Sequence, residues 1–397
     1  MDRRMTALDL DSPATPRIVA GVDALQRLTE VLPATPAPVI VIADAGMESA
    51  GLVDRLETAL PPGRPCHRFI CPHGEPTLAT INAGAGYARE LRDAVIVGLG
   101  GGSALDSAKL VASLAATALP AEDFVLGRNV PPARWPAVMI PTTSGTGSEV
   151  THTAIVSDDG GRKLWAWAPD MAPDTVILDP TLTASVPPGM IVGTGLDAFV
   201  HGLEALTGQG ANVFTEAYGL AAIRRARGAL STYRRDPYDV HAAADMQFAA
   251  TLAGLAIDAG GTGMAHNIGH ALGSLYHVPH GVAVTVGLQA SLGWSIDADI
   301  SRYHAAADAF GIGDDDTAGL VPAFDDWLAE VDFPALARGV LPASVDAAAL
   351  AAEMAAEPNR PMIRNNARVA QEDELTMLAD RVAACCLDHA ATGEVAS

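Results

Sequence analysis

Short apolar runs alternate with stretches of helical periodicity over about the first 180 residues of the chain. Between the runs lie GLVDRLETAL (51–60) and TLATINAGAGYARELR (77–92), and TVILDPTLTASVPPG (175–189) adds a last strand and a proline-rich joint. The pattern predicts βαβ units around an open parallel sheet, whose buried strands are continuously apolar. The predicted strands lie in PVIVIAD (38–44), CHRFIC (66–71), AVIVGLG (94–100) and AVMIP (137–141).

The pattern changes after about residue 188, where strand-like runs stop and long amphipathic stretches begin. Their apolar positions recur at helical spacing and are rich in alanine and leucine, which favours helices. We therefore expect an α/β domain at residues 1–187 and an all-α domain at residues 188–397. The helical stretches include MIVGTGLDAFVHGLEALTG (190–208), TEAYGLAAIRRARGAL (215–230) and VHAAADMQFAATLAGLAIDAG (240–260).

The net charge of −22 argues against two classes of partner, nucleic acid and anionic membrane, because both require clustered Lys and Arg. The opening MDRRMTALDLDSP (1–13) lacks the apolar core of a signal peptide, and no unbroken apolar span of membrane length occurs. The four cysteines have neither zinc-site nor CxxC spacing, which is typical of reduced thiols. We expect a cytoplasmic protein. The cysteines are Cys66, Cys71, Cys385 and Cys386.

A glycine-rich loop follows the third predicted strand, in VIVGLGGGSALDSAK (95–109). Glycines allow a ligand to approach the backbone, and the helix predicted to begin at Ser103 would offer N–H groups to a pyrophosphate. A tight strand–helix turn explains the same residues equally well. Asp106, in the first helical turn, favours neither interpretation, because an acid there also complements the helix dipole.

Two further polar features can likewise be interpreted either as ligand-binding or as turn-forming. Asp44 ends the first predicted strand, where an acid can bind the adenosine ribose and repel a 2′-phosphate, or can simply stabilise a turn. The segment PTTSGTGSEVT (141–151) is rich in hydroxyl groups, which suit either a ligand-binding loop or a long surface turn. The hydroxyl side chains are those of Thr142, Thr143, Ser144 and Thr146.

Four of the 11 histidines of the chain lie in GMAHNIGHALGSLYHVPHG (263–281). If this stretch is helical to about Tyr276, His266 and His270 lie four residues apart on one face. Pro279 ends the helix, so His280 would lie on the turn beyond it and could fold back to that face. Such a pair is a weak metal signal by itself, since a metal needs three or four ligands.

A second pair with the same spacing, Asp197 and His201, lies in the earlier stretch GTGLDAFVHGLEA (193–205). Mutual hydrogen bonding of the two side chains is one explanation. With His266 and His280, however, they complete a set of one carboxylate and three imidazoles. That set suits Fe²⁺ or Zn²⁺ and not Mg²⁺, which prefers oxygen ligands.

Five motifs in order make the chain, from about residue 15 to 380, resemble the iron-containing (group III) alcohol dehydrogenases. The resemblance implies the two-domain fold shared with dehydroquinate synthase and an NAD(H)-dependent interconversion of a small alcohol and its aldehyde or ketone. It implies Fe²⁺, with Zn²⁺ as the alternative, and favours NAD(H) over NADP(H). The motifs are GLGGGSALDSAK, IPTTSGTGSEVT, PDTVILDPTLTASVPP, TGLDAFVHGLEA and MAHNIGHALGSLYHVPHG.

Individual site residues follow from the resemblance. His270 matches a histidine near the nicotinamide and is the predicted catalytic residue, which would pass a proton to solvent. The residues that match metal ligands are Asp197, His201, His266 and His280. The predicted cofactor-binding residues are Asp44, Gly100, Gly101, Gly102, Ser103, Asp106, Thr142, Thr143, Ser144, Thr146 and Lys163.

The chain departs from the family pattern near its C-terminus, where Ala367 replaces a proline in RNNARVAQEDEL (364–375). Arg364, Asn365 and Arg368 could line a pocket for a polar substrate or lie at the surface. Two alternative functions are a metal-independent enzyme similar to maleylacetate reductase and a lyase on the same scaffold. We expect a small-molecule substrate and, as in many relatives, a homodimer or larger homo-oligomer.

Overall fold

A computed structural model of the chain describes residues 14–72, 74–298, 300–313 and 317–391. The opening segment discussed above (1–13) lies outside these residues. The described chain forms two compact units. One contains residues 14–186 with Pro237–Gln247, and the other contains Pro187–Asp236 with residues 248–391. The predicted division into domains at residues 1–187 and 188–397 stays a prediction.

The first unit has a six-stranded parallel sheet in the order β1-β8-β5-β4-β2-β3, with β6 and β7 forming a separate antiparallel hairpin. The strands are β1 (Arg17–Ala20), β2 (Val39–Asp44), β3 (Cys66–Cys71), β4 (Val95–Gly100), β5 (Ala137–Pro141), β6 (Thr153–Ser157), β7 (Lys163–Trp167) and β8 (Thr175–Leu178). The helices are α1 (Leu28–Val31), α2 (Ala45–Ser49), α3 (Leu52–Thr58), α4 (Leu78–Glu90) and α5 (Gly102–Ala115). Short 3₁₀ turns occur at Ala24–Arg27, Ala121–Asp123 and Pro180–Leu182.

Apolar layers cover both faces of this sheet. In β2, Val39 and Val41 pack into one core cluster, whereas Ile40 and Ile42 pack into another with Val111 of α5. Successive side chains of a strand point to opposite faces, so a strand covered on both sides is apolar at every position. The predicted parallel α/β sheet is confirmed. The sequence patterns missed β1, which buries one residue of four, and the half-buried hairpin of β6 and β7.

The second unit is helical, and the described residues after β8 contain no strand, as predicted. Helix α8 begins in the first unit and continues into the second. The helices are α6 (Pro188–Thr207), α7 (Val213–Arg235), α8 (Val240–Gly260), α9 (Met264–Tyr276), α10 (His280–Ala298), α11 (Ile300–Phe310), α12 (Leu320–Glu330), α13 (Phe333–Arg338), α14 (Ala347–Met354), α15 (Arg360–Asn365) and α16 (Glu372–Ala391). Short 3₁₀ turns occur at Thr317–Gly319 and Glu357–Asn359.

Glycines allow α10 to lie very close to α6 and α9. A Cβ added to Gly281 would lie 2.1 Å from the carbonyl oxygen of Gly193 in α6. One added to Gly287 would lie 2.5 Å from the carbonyl oxygen of Ala265 in α9. Since no side-chain carbon fits at these distances, glycine sets the spacing of the three helices that carry Asp197 and His201, His266, and His280.

Helix α8 is long and apolar enough to cross a membrane by length and composition alone. In the structure, 56% of its most apolar window is buried inside the fold. A core helix of a soluble protein has the same properties. We therefore interpret α8 as a core helix.

All four cysteines are free thiols in the structure. Burial raises the pKa of Cys66 to about 12 and the pKa values of Cys385 and Cys386 to about 11. Burial raises the pKa of Cys71 as well. The thiols are therefore protonated and weakly nucleophilic near neutral pH.

Candidate active site

Helices α6 and α9 bring together Asp197, His201 and His266, all buried. One potential ligand atom from each lies within 4.8 Å of the other two. Asp197 and His201 share a face of α6 because they are one helical turn apart. The imidazole rings of His201 and His266 are stacked, with centroids 4.3 Å apart and an interplanar angle of 22°.

Three histidines surround the carboxylate of Asp197. His266 Nε2 lies 3.4 Å from Asp197 Oδ1, and His280 Nε2 lies 3.7 Å from the same oxygen. His201 Nδ1 lies 3.8 Å from Asp197 Oδ2. Two atoms bound to one tetrahedral ion at about 2.1 Å are separated by about 3.4 Å, so the spacing of this group fits a shared metal.

Two of these atoms provide a second test of the fit. Asp197 Oδ1 and His266 Nε2 are buried, and neither makes a hydrogen bond to another described group. Leaving a buried polar atom without a partner costs about 1–3 kcal/mol. A cation bound between the oxygen and the nitrogen would satisfy both, and an Asp/His donor set is suited to Fe²⁺ or Zn²⁺.

His280 reaches this group from a different local structure than the sequence predicts. Helix α9 ends at Tyr276, as expected, and His277 follows with a left-handed φ of 56°. His280, however, is the first residue of α10 and does not lie on a turn. Pro279 both stops α9 and precedes a new helix, for which its fixed φ is suitable. The side chain of His280 is 26% exposed, whereas that of Asp197 is 2% exposed.

The charges in this group favour a bound cation. Burial raises the pKa of Asp197, but the nearby His201, His280 and His266 outweigh it and hold that pKa well below its usual range. Burial lowers the pKa of His266, but the charge of Glu204, together with Asp197, raises it to about 9. The carboxylates that favour a proton on His266 also favour a metal ion in its place.

Glu204 is a residue of this group that the sequence analysis did not select. It is buried, and its Oε2 lies 2.6 Å from Nδ1 of His266. It comes three residues after His201 and seven after Asp197, so all three share one face of α6. This spacing could have identified it from the sequence. His270, one turn after His266 in α9, is partly buried, and its ring centroid lies 5.7 Å from that of His280.

In the first unit, the predicted phosphate loop joins β4 to α5. Gly100 has a φ of 147°, which favours glycine, and α5 begins at Gly102, one residue earlier than predicted. Beside this helix start lies a cavity of about 170 Å³, which contains Asp44 and Ser103 of the predicted cofactor set. Its lining residues are Asp44, Cys71, Pro72, Gly74, Glu75, Pro76, Thr77, Thr80, Ser103, Ala104 and Ser107.

Asp44 lines the cavity and also caps a helix. Its Oδ1 accepts hydrogen bonds from the backbone N–H groups of Gly46 (2.7 Å) and Met47 (3.1 Å) at the start of α2. Its Oδ2 takes part in neither bond and lies 3.4 Å from the place where a Cβ on Gly100 would be. The two interpretations of Asp44, ribose binding and turn formation, are therefore compatible.

The hydroxyl-rich loop after β5 packs against the glycine loop. The N–H of Thr142 donates to the carbonyl of Gly100 at 2.9 Å. A Cβ on Gly102 would lie 2.7 Å from the methyl of Thr146, and one on Gly101 would lie 3.3 Å from the hydroxyl of Thr143. The hydroxyl of Ser144 is buried and makes no hydrogen bond to a described group. The structure thus brings these predicted cofactor residues together.

Asp106 and Lys163 make contacts with protein groups. Asp106 accepts from the hydroxyl of Ser148 (2.5 Å) and the N–H of Ile155 (3.1 Å), and it pairs with the fully buried Lys109 at 3.1 Å. The bonds from Ser148 and Ile155 fix α5 to β6 and to the segment before it. Lys163 pairs at 3.0 Å with Glu75, a residue of the cavity wall. Binding of the cofactor by Asp106 and Lys163 stays a prediction.

Comparison with known proteins identifies the family. Residues 15–180 match the profile described as iron-containing alcohol dehydrogenase, and residues 191–382 match the profile of the C-terminal part of the Fe-containing alcohol dehydrogenase family. The chain belongs to the iron-containing alcohol dehydrogenase family. The resemblance inferred from the motifs is confirmed.

Several relatives of this alcohol dehydrogenase family member are similar over most of the chain. Sulfoacetaldehyde reductase of Bilophila wadsworthia (strain 3_1_6) is 31% identical over 91% of this chain and 96% of its own. The 1-propanol dehydrogenase PduQ of Citrobacter freundii is 35% identical over 66% of each. The structure of sulfoacetaldehyde reductase from Bifidobacterium kashiwanohense in complex with NAD⁺ has a TM-score of 0.83 at 24% identity, covering 94% of this chain and 98% of that one. That structure confirms the fold, and the curated relatives confirm an oxidoreductase.

The chain departs from the family pattern in a C-terminal segment, where Asn365 and Arg368 contact other parts of the protein. Asn365 donates to the carbonyls of Gly260 (2.7 Å) and Thr262 (2.9 Å), which links α15 to the end of α8. Arg368 forms an ion pair with Glu374 and lies over the ring of Trp294. Arg364 is exposed. Of the two interpretations, surface residue or pocket lining, Arg364 therefore fits the first better.

Proposed function

We propose that the protein is a metal-dependent, NAD(H)-linked oxidoreductase that interconverts a small primary or secondary alcohol and its aldehyde or ketone. The observation that carries the proposal is the buried cluster around Asp197, whose carboxylate lies within 3.8 Å of a ring nitrogen of each of three histidines. Family membership supports the same chemistry. We propose Fe²⁺ as the metal, although Zn²⁺ accepts the same donor set.

In this proposal the ligands are Asp197, His201, His266 and His280. When bound, the ion supplies Lewis-acid polarisation of the substrate oxygen, and the nicotinamide supplies the hydride acceptor or donor. Asp197 offsets part of the positive charge at a buried position. His201 and His266 present ring nitrogens from two helices held by close packing, which keeps the donor geometry fixed before substrate binds. His280, partly exposed, completes the set.

The experiment that tests the proposal combines metal analysis of purified protein with an NADH-coupled screen of short aldehydes and alcohols, some of them anionic. Treatment with a chelator should remove both the metal and the activity, and Fe²⁺ or Zn²⁺ should restore the activity. Unchanged turnover in metal-free protein would favour the maleylacetate reductase-like alternative. Tight NAD binding with no net NADH change would favour the lyase. A lyase of this scaffold needs cationic residues for a phosphorylated substrate, and the absence of lysine from the helical half argues against it.

Asp44 is proposed to select NAD over NADP by repelling the 2′-phosphate. We expect Asp44→Asn to raise the NADP/NAD ratio of kcat/KM at least about fivefold, because removing a nearby like charge changes the binding free energy by about 1–4 kcal/mol. Asparagine keeps the cap on α2, since Asn and Asp are equally good N-caps. Steady-state kinetics with both cofactors measure the effect. An unaltered ratio with intact NAD activity would remove Asp44 from cofactor selection.

His270 is proposed to pass the proton between substrate and solvent. We expect His270→Ala to keep the bound metal but to lower kcat by about 10²-fold, and added imidazole should restore part of the loss. Metal analysis and kcat at increasing imidazole concentration measure these effects. The control is His277→Asn, a change at an exposed position whose left-handed backbone asparagine tolerates. Full turnover of His270→Ala would contradict the assignment.

The remaining cofactor-binding assignments are also part of the proposal. Two contacts support them: the glycine loop packs on the hydroxyl-rich loop, and both Ser103 and Asp44 line the cavity beside α5. We propose a cytoplasmic location, which the four free cysteines support. We also propose a homodimer or larger homo-oligomer, which light scattering of the purified protein would measure.

A further inference from the structure

Glu204 joins the proposed metal site to the start of α9. Its Oε2 accepts a hydrogen bond from the N–H of Gly263 at 2.8 Å and lies 2.6 Å from Nδ1 of His266. Its Oε1 accepts a hydrogen bond from the N–H of Ala265 at 2.6 Å. The residue is 6% exposed. Two backbone N–H groups and one ring nitrogen of the short segment 263–266 therefore contact this buried carboxylate.

Helix α9 has no cap of its own, because its N-cap residue is Gly263. The first N–H groups of a helix need acceptors from elsewhere. Glu204 accepts from Gly263 and Ala265, and Oδ1 of Asn366 accepts from the N–H of Met264 at 3.1 Å. Two side chains from outside α9 therefore share its capping, and of the two only Glu204 also contacts His266.

The contact with His266 has a consequence for metal binding. A carboxylate that already accepts two backbone N–H bonds accepts a third, so Nδ1 of His266 carries the hydrogen. The other ring nitrogen, Nε2, is then the atom available to a metal, and it lies 3.4 Å from Asp197 Oδ1. The hydrogen bond also fixes the rotation of the ring.

We propose that Glu204 is a positioning residue that holds His266 with Nδ1 protonated and Nε2 directed at the metal. The inference rests on the proposed function, because it assumes that the ion binds between Asp197 and His266. Glu204 acts through His266 and touches neither substrate nor cofactor. Glu204 also caps α9, and the two functions can be separated by experiment because Asn366 caps the same helix without contacting His266.

The test compares Glu204→Gln with Asn366→Ala in full-length protein. Glutamine offers one oxygen where glutamate offers two, so its NH₂ group must face either Ala265 or the pair Gly263 and His266. We expect Glu204→Gln to weaken Zn²⁺ binding by about 10–100-fold, measured by competition with a chelator. The visible spectrum of the Co²⁺-loaded variant should change as well. Asn366→Ala should lower thermal stability while leaving Zn²⁺ affinity and the Co²⁺ spectrum as in the wild type.

Two results would overturn the inference: wild-type Zn²⁺ affinity and Co²⁺ spectrum in Glu204→Gln, or equal losses of affinity in both variants, which would reduce Glu204 to a helix cap. Glu204→Asp, which keeps the charge on a shorter side chain, serves if the glutamine variant does not fold, and it should also lose affinity. Failure of the proposed function is distinct, because the wild-type protein itself would then bind no metal or would show no NADH-coupled turnover.

Discussion

Asp197→Asn is expected to remove both the bound metal and the turnover of the enzyme. Asp197 lies within 3.8 Å of a ring nitrogen of each histidine of the proposed site, and its carboxylate is the only negative charge among the four proposed ligands. An amide keeps the shape of the side chain but not the charge. We expect metal affinity to fall by more than about 100-fold. Removing a residue that only hydrogen-bonds to a metal ligand costs less, about 10–100-fold. Lewis-acid catalysis supplies several kcal/mol, so kcat should fall by about 10³-fold or more.

Metal content of the purified variant and its NADH-coupled activity measure these two losses. His280→Ala should behave in the same way, because it removes the fourth proposed ligand. The control is Asp346→Asn, which changes a carboxylate of the same unit that caps α14, where asparagine caps equally well. Full activity of Asp197→Asn or His280→Ala with no bound metal would reject the site.

Gly281→Ala is expected to damage both stability and metal binding, although Gly281 is not a proposed ligand. The added Cβ would lie 2.1 Å from the carbonyl oxygen and 2.5 Å from the carbonyl carbon of Gly193. Backbone atoms cannot rotate away, so α10 must move from α6. We expect the free energy of unfolding to fall by about 3 kcal/mol or more, at the upper end for overpacked sites. His280 is adjacent in the chain and should move away from Asp197.

Chemical denaturation and metal analysis measure the two effects. Gly293→Ala is the matched control, because it makes the same change in the same helix. There the added Cβ meets only a methyl of Val321 at 3.8 Å, an ordinary contact. This variant should keep its metal and gain up to about 1 kcal/mol of stability from the better helix former. Equal stability of the two variants would show that the close approach of α6 and α10 is not needed.

The strands of the sheet were predictable where burial makes the sequence continuously apolar. The runs in β2, β4 and β5 have that property, since apolar layers cover both faces. The four-residue strand β1 has one buried residue, and its place beside β8 depends on residues far away in the chain. No local pattern predicts such a strand, because its formation depends mainly on pairing with β8.

The proposed metal ligands were selected from the sequence because helical spacing is a local property. Asp197 with His201, and His266 with its neighbours, lie on helix faces that spacing alone defines. The sequence could not show that the two faces meet. That depends on the contact of Gly281 with Gly193 and of Gly287 with Ala265, which bring α10 against α6 and α9.

By itself, the sequence determined that a parallel α/β sheet is followed by a helical half, that α9 ends at Tyr276, and which residue types form the proposed site. Each of these follows from apolar periodicity, from proline geometry or from ligand chemistry, which act over a few residues. Only the tertiary structure decided that Glu204 caps α9 and holds His266, and that Asp106 accepts a hydrogen bond from the hydroxyl of Ser148. A buried polar group takes whichever partner the packed helices place nearest, and that choice depends on distances that the linear sequence does not contain.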